Sequence, residues 1–149
     1  ISEERQLAIF GTWDDHVYAL DLASGETAWK VDTGGRLMGS AAVDDTAGRA
    51  FVGTLRRDRA LFAIDLDSGD VVWRYDAGGS IASSPAVGDG AVVVGSGDEA
   101  LHAVDAATGE RIWRFPTDGP VTASPAWVGD RIYIAAKQGS LYALRTFDP

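Results

Sequence analysis

Cysteine is absent from the 149 residues, which excludes a disulfide framework, a thiolate metal site and a cysteine nucleophile, and leaves the redox compartment open. Histidine is scarce, and 2 such residues cannot build a metal site alone. Lysine is nearly missing: 13 basic side chains, almost all arginine, stand against 22 acidic ones for a net charge of -9. Such a surface repels phosphate backbones and anionic lipid, so neither nucleic acid nor a membrane surface is an expected partner. No apolar run approaches the ~20 residues of a membrane-spanning helix, and no membrane insertion is expected. No segment sustains a helical period over three turns. The chain opens on Ile1 with neither an initiator methionine nor a signal-like segment, so it reads as a piece of a longer protein.

What is present is glycine (18 residues), tryptophan (5 residues) and short runs of Val, Ile and Tyr. Brief strands joined by tight turns give this composition, so the fold class is all-β, in one unit long enough to bury a core. A repeat is plain. Ala19, Asp21, Gly25 and Trp29 recur as Ala63, Asp65, Gly69 and Trp73, then as Ala103, Asp105, Gly109 and Trp113. A second phrase follows each Trp, at 39–43, 83–87 and 122–127.

Each unit reads as four strands, A to D, which in the third are "SSPAV", "AVVVGS", "ALHAVDA" and "RIWRFPT", parted by Gly/Asp turns. A repeated four-stranded antiparallel sheet of this length is a β-propeller blade. The approximate units are 1–35, 36–79, 80–119 and 120–149 of one array. The Trp13-Asp14 pair suggests a WD repeat but falls in a B–C turn and does not recur at 57–58 or 97–98. The first unit lacks strand A and the last lacks strand D. About four blades are therefore present, two of them incomplete, as part of a seven- or eight-bladed ring. In the last unit Arg145 and Pro149 replace the Asp and Gly of the turn. Open edges of this kind are expected to make the chain self-associate.

The Ala, Asp, Gly, Trp phrase across strands C and D resembles that of the quinoprotein-type (PQQ-like) repeat propellers, over nearly the whole chain. The resemblance implies a fold rather than one activity. The family includes quinone-dependent alcohol and sugar dehydrogenases, the propeller lipoprotein of the outer-membrane barrel-assembly machinery, and sensors with no chemistry of their own. It also implies an extracytoplasmic location. The dehydrogenases use calcium-bound quinone with Asp, Glu and Asn ligands, often beside a vicinal Cys pair. This sequence has no Asn and no Cys, so no catalytic, cofactor or metal residue carries over and no cofactor is expected.

The phrase has a physical basis of its own. Gly25, Gly69 and Gly109 sit where a turn needs positive φ. The carboxylates of Asp21, Asp65 and Asp105 can accept backbone N–H groups of that turn. Trp29, Trp73 and Trp113 each offer an apolar face to a neighbouring blade and an N–H that needs an acceptor. Ala19, Ala63, Ala103 and Ala143 are expected to be small because another blade's indole lies close.

Other motifs dissolve in this register. Gly95, Gly97 and Ala100 imitate a dinucleotide fingerprint, but the same columns elsewhere are hairpins with no helix after them. His102 shares the column of Tyr18, Phe62 and Tyr142, so it reads as a packed ring. His16 and the Asp pairs at 14–15 and 44–45 read as turn residues, without the Asp-x-Asp-x-Asp-Gly loop of calcium sites. One deviation stands out. The B–C hairpin of the second unit is two residues longer than its counterparts and gathers Arg56, Arg57 and Arg59 on the face where Arg36 emerges. This basic spot is a candidate site for a carboxylate or an acidic partner; the alternative is a solvated loop balancing nearby Asp.

The function read from these residues is a non-catalytic interaction or ligand-sensing scaffold. The alternative is a structural fragment of a quinoprotein oxidoreductase whose active-site residues lie elsewhere. Sugar binding through Trp13 and Trp127 rests on two residues.

Overall fold

The structure, a computed structural model, describes residues 1–55 and 59–146. Among these residues it contains fourteen strands and no helix, hence none long and apolar enough to cross a membrane. The first sheet comprises β1 (Leu7–Gly11), β2 (His16–Asp21) and β3 (Thr27–Asp32). The second adds an inner strand, running β4 (Ala42–Asp44), β5 (Arg49–Gly53), β6 (Ala60–Asp65) and β7 (Val71–Asp76). The third repeats it with β8 (Ala86–Gly88), β9 (Ala91–Ser96), β10 (Ala100–Asp105) and β11 (Arg111–Pro116). The fourth holds β12 (Ala126–Val128), β13 (Arg131–Ala135) and β14 (Leu141–Arg145). Every sheet is an antiparallel meander in chain order. The first sheet thus has strands B, C and D and the last has A, B and C. The four do not close, and the fold is a partial β-propeller.

Burial explains the strand compositions. β6, β9 and β10 are buried along nearly their whole length, because a neighbouring sheet covers each face, and their sequences are near-continuous apolar runs. The outer strands β3, β7 and β11 alternate instead, with the Trp turned inward and charges outward. Three apolar clusters fill the joints between consecutive blades. The first joins Val17 and Trp29 to Val52, Phe62 and Ile64; the second joins Phe51 and Leu61 to Val92 and Val94; the third joins Val93 and Leu101 to Ile132 and Ile134.

The inner strands are shorter and start later than the phrase "SSPAV" suggests, since β8 begins only at Ala86. The residues before it are occupied otherwise. Ser83 Oγ bridges the N–H and carbonyl of Gly95, Ser84 N–H donates to Ser124 Oγ of the next blade at 2.9 Å, and Pro85 has no N–H to give. Ser40 N–H donates likewise to Ser84 Oγ.

A third repeated feature went unread in the sequence. Leu37, Ile81 and Val121, in the D–A connections, are all fully buried and press on Gly11, Gly53 and Gly95 of the preceding blade, where any Cβ would collide with them. The signal was there in "GGRL", "GGSI" and "DGPV", spaced like the Trp residues.

Candidate interaction surface

The three repeated turns have one geometry. Asp21 Oδ1 accepts the N–H groups of Ala23 and Ser24, at 3.0 and 2.7 Å; Asp65 does so with Asp67 and Ser68, and Asp105 with Ala107 and Thr108. These donors stabilise the ionised form, and all three carboxyls are held below the usual carboxylate range, chiefly by the backbone N–H of Ser24, Ser68 and Thr108 respectively. Gly25, Gly69 and Gly109 close the turns at φ +72, +79 and +77.

The tryptophans reach across to the next blade's turn. Trp29 Nε1 donates to the Leu66 carbonyl at 2.8 Å, and Trp73 Nε1 to the Ala106 carbonyl at 3.1 Å. A Cβ on Gly69 would stand 2.9 Å from the Trp29 ring, and one on Gly109 2.7 Å from Trp73. Among the described residues Trp113 Nε1 has no equivalent acceptor, and Gly25 has open space where an indole would lie. The small alanines have a different cause from the one expected. Ala19, Ala63 and Ala103 pair directly with Trp29, Trp73 and Trp113 of their own sheets, so their size accommodates the indole of the same blade. The indole of another blade lies over the glycine.

His102 is a packed ring, 2% exposed, and more than that. Its Nδ1 lies 2.8 Å from Tyr75 Oη of the preceding blade and its Nε2 lies 3.1 Å from Asp98 Oδ1. Arg114 holds the other Asp98 oxygen through Nε and Nη2. Burial pushes the Asp98 carboxyl up, but the hydrogen bonds and charge of His102 and Arg114 prevail and it lies below its ordinary value. Burial raises Tyr75. Both imidazole nitrogens are engaged, so the ring acts as a polar joint between two blades. The first blade carries a surface counterpart, in which Tyr18 Oη donates to Asp14 and Lys30 lies over the Tyr18 ring.

The B–C turns and D–A connections share one face. Leu37 N–H donates to Thr12 O and Leu55 N–H to Arg36 O, which ties the first two blades together there, and Ile81 N–H donates to Thr54 O at the next joint. On this face the Arg36 guanidinium sits 5.5 Å from the centroid of Trp13. Trp13 is 64% exposed and Met38, two residues from Arg36, is also exposed. Arg59 is exposed as well, at φ 44 beside β6. Arg56 and Arg57 lie outside the described residues, as does Pro149. The surface thus offers a cation over an exposed indole, with the exposed Met38 two residues further along the chain, groups suited to a carboxylate next to an apolar side chain. Among the described residues no cluster of three or more His, Cys, Asp or Glu could hold a metal ion. Trp127 bonds its indole N–H to Gly129 O within its own turn, and Trp13 is on another blade, so the two do not form one sugar platform.

Solved structures share this architecture. The crystal structure of BamB from Moraxella catarrhalis superposes with a TM-score of 0.83 at 23% identity, covering 97% of this chain and 48% of that one. The computationally designed Ika4 protein superposes with a TM-score of 0.76 at 18% identity, covering 94% and 85%. The chain therefore spans about half the length of the BamB structure. No curated protein matches it in sequence. A family model described as outer membrane protein assembly factor BamB matches residues 14–148. Coverage of nearly the whole chain, with the repeated sheets and superposition above, places this protein in the BamB-like family of PQQ-repeat β-propellers.

Proposed function

We propose that the chain is a non-catalytic interaction scaffold that binds an acidic segment of a protein partner on the face carrying Trp13, Arg36, Met38 and Arg59, with Arg56 and Arg57, which precede Arg59 in the sequence, as further candidates. The observation that carries this reading is the stacking of Arg36 on an exposed Trp13 in a chain whose net charge is -9. The family description, an assembly factor, supports it, since such a protein acts through other proteins. In this proposal Ala19, Asp21, Gly25, Trp29 and their repeats, through Trp113, fasten the blades so that the loop face is rigid when a partner arrives. Exposed Phe10 and Leu141 sit in columns that are buried in the other blades, and the same proposal has them promote self-association of this chain.

The test replaces Arg36, Arg56, Arg57 and Arg59 with Ser and, separately, Trp13 with Ala. Titration with a fluorescent Asp/Glu-rich peptide containing one Leu should show saturable binding that the arginine variant abolishes and Trp13→Ala weakens about threefold to tenfold. Unchanged binding in both variants would make the hairpin a solvated loop.

A further inference from the structure

We propose that Met38 is a reversible oxidation site, and that conversion of its thioether to the sulfoxide by a peroxide weakens the hold of the Trp13–Arg36 face on an acidic partner segment. This role rests on the binding face proposed above, to which it adds a control. The chain holds one methionine and no cysteine, so Met38 carries its only sulfur and no thiol of the chain competes for the oxidant. The side chain is 57% exposed.

The backbone around Met38 fixes that display. Leu37, 1% exposed, is wedged against Gly11, where an added Cβ would lie 2.6 Å from the Leu37 Cβ. Its N–H donates to Thr12 O, next to Trp13, and the Arg36 carbonyl accepts the N–H of Leu55. Leu37 also forms an isolated antiparallel bridge with Thr54, and in extended backbone of this kind successive side chains alternate. Arg36 and Met38 therefore both turn away from the core that holds Leu37, and both are exposed. On the other side of Met38, a Cβ on Gly39 would lie 2.6 Å from the Ser83 carbonyl oxygen, which pins the chain there too. The repeat itself does not ask for methionine. The residues after Ile81 and Val121 are Ala82 and Thr122, and Thr122 shows that this column accepts a polar group. Oxidation of Met38 therefore leaves the blades intact and changes the surface alone.

The step needs only a peroxide. The sulfur lone pair attacks one oxygen of hydrogen peroxide, an S–O bond forms as the O–O bond breaks, and the departing hydroxide takes the proton left on the transferred oxygen. Sulfur loses two electrons, peroxide is reduced to water, and the chain gains one oxygen. A dithiol-dependent methionine sulfoxide reductase reverses it, two thiols closing to a disulfide as the oxygen leaves in water. The product is a polar, chiral group where an apolar and adaptable one stood. An apolar side chain beside the partner's carboxylates loses its contact, while the Arg36 cation stays over Trp13.

The test treats the full 149-residue chain with dilute hydrogen peroxide. Mass spectrometry should find one added oxygen, mapped to Met38, at a rate close to that of free methionine. Titration with the Asp/Glu-rich peptide containing one Leu should then show binding weakened about threefold to tenfold, restored by a methionine sulfoxide reductase with dithiothreitol, while circular dichroism is unchanged. Met38→Gln, a polar side chain of similar length, should weaken binding without peroxide. Met38→Leu, whatever its starting affinity, should bind identically before and after treatment. Oxidation far slower than that of free methionine, undiminished binding by the oxidised chain, or a peroxide-induced loss in Met38→Leu would each overturn the proposal. An untreated chain that does not bind the peptide overturns the binding face and this control with it, whereas binding that oxidation leaves unchanged removes the control alone.

Discussion

Trp73→Ala tests the joint between the second and third blades against the surface tryptophan Trp13. Trp73 is 9% exposed, its ring centroid lies 5.7 Å from that of Phe51, and its N–H reaches Ala106 O. Truncating a buried aromatic of this size costs ~3–5 kcal/mol. Domains have only ~5–15 kcal/mol of stability, so the loss is a third or more for most values in that range. For a domain of this length ~1 kcal/mol moves the melting temperature by about 2–4 °C. The expected drop is therefore on the order of 10 °C. Trp13 touches the Arg36 guanidinium at 5.5 Å, a contact of about 0.5–1 kcal/mol at an exposed site, and Trp13→Ala should shift melting by no more than about 4 °C. Trp73→Phe keeps an aromatic face but removes the N–H donor, leaving a buried carbonyl unpaired at a cost of ~1–3 kcal/mol. It should fall between the two. Thermal and urea denaturation followed by circular dichroism measure all three variants. Equal losses in Trp73→Ala and Trp13→Ala would refute the reasoning.

Gly69→Ala and Gly25→Ala compare the same turn with and without an indole above it. Both need positive φ, which costs an alanine about 1–2 kcal/mol, but only Gly69 has Trp29 at 2.9 Å from the new Cβ; urea midpoints should show the larger loss for Gly69→Ala, and equal losses would remove the indole from the joint. Asp65 has a depressed carboxyl, chiefly through the N–H of Ser68, so its contribution to stability is complete above the unfolded carboxylate range near about pH 3.9 and is lost as pH falls through the lower folded value. Asp65→Asn should flatten that acid limb in urea midpoints taken from pH 6 downward, and an unchanged limb would show that other carboxylates dominate it. Light scattering at micromolar concentration should find species larger than 15.7 kDa, whereas a stable monomer would remove self-association from the proposed function.

The repeat columns were legible without coordinates because each is a local requirement. A turn at positive φ selects Gly25, an Asp that caps it must stand four residues earlier at Asp21, and a strand buried on both faces is read from its apolar run. Strand identity and the missing strands of the first and last blades followed from counting those columns. The details that failed were contacts between units. Nothing local in Ala63 says which indole it meets, and only the register placed Trp73 of its own sheet opposite it and Trp29 of the preceding blade over Gly69. The Tyr75–His102–Asp98 chain of hydrogen bonds was equally hidden, since it joins two strands and a turn from two blades. His102 occupies a column of aromatic rings, so sequence could assign its packing but not its hydrogen bonds. The approach of Arg36 to Trp13 belongs to the same class. Periodicity and turn chemistry are properties of a few neighbouring residues, which the sequence by itself determined. The surfaces that a partner meets depend on how one blade is rotated against the next, and only the tertiary structure decides that.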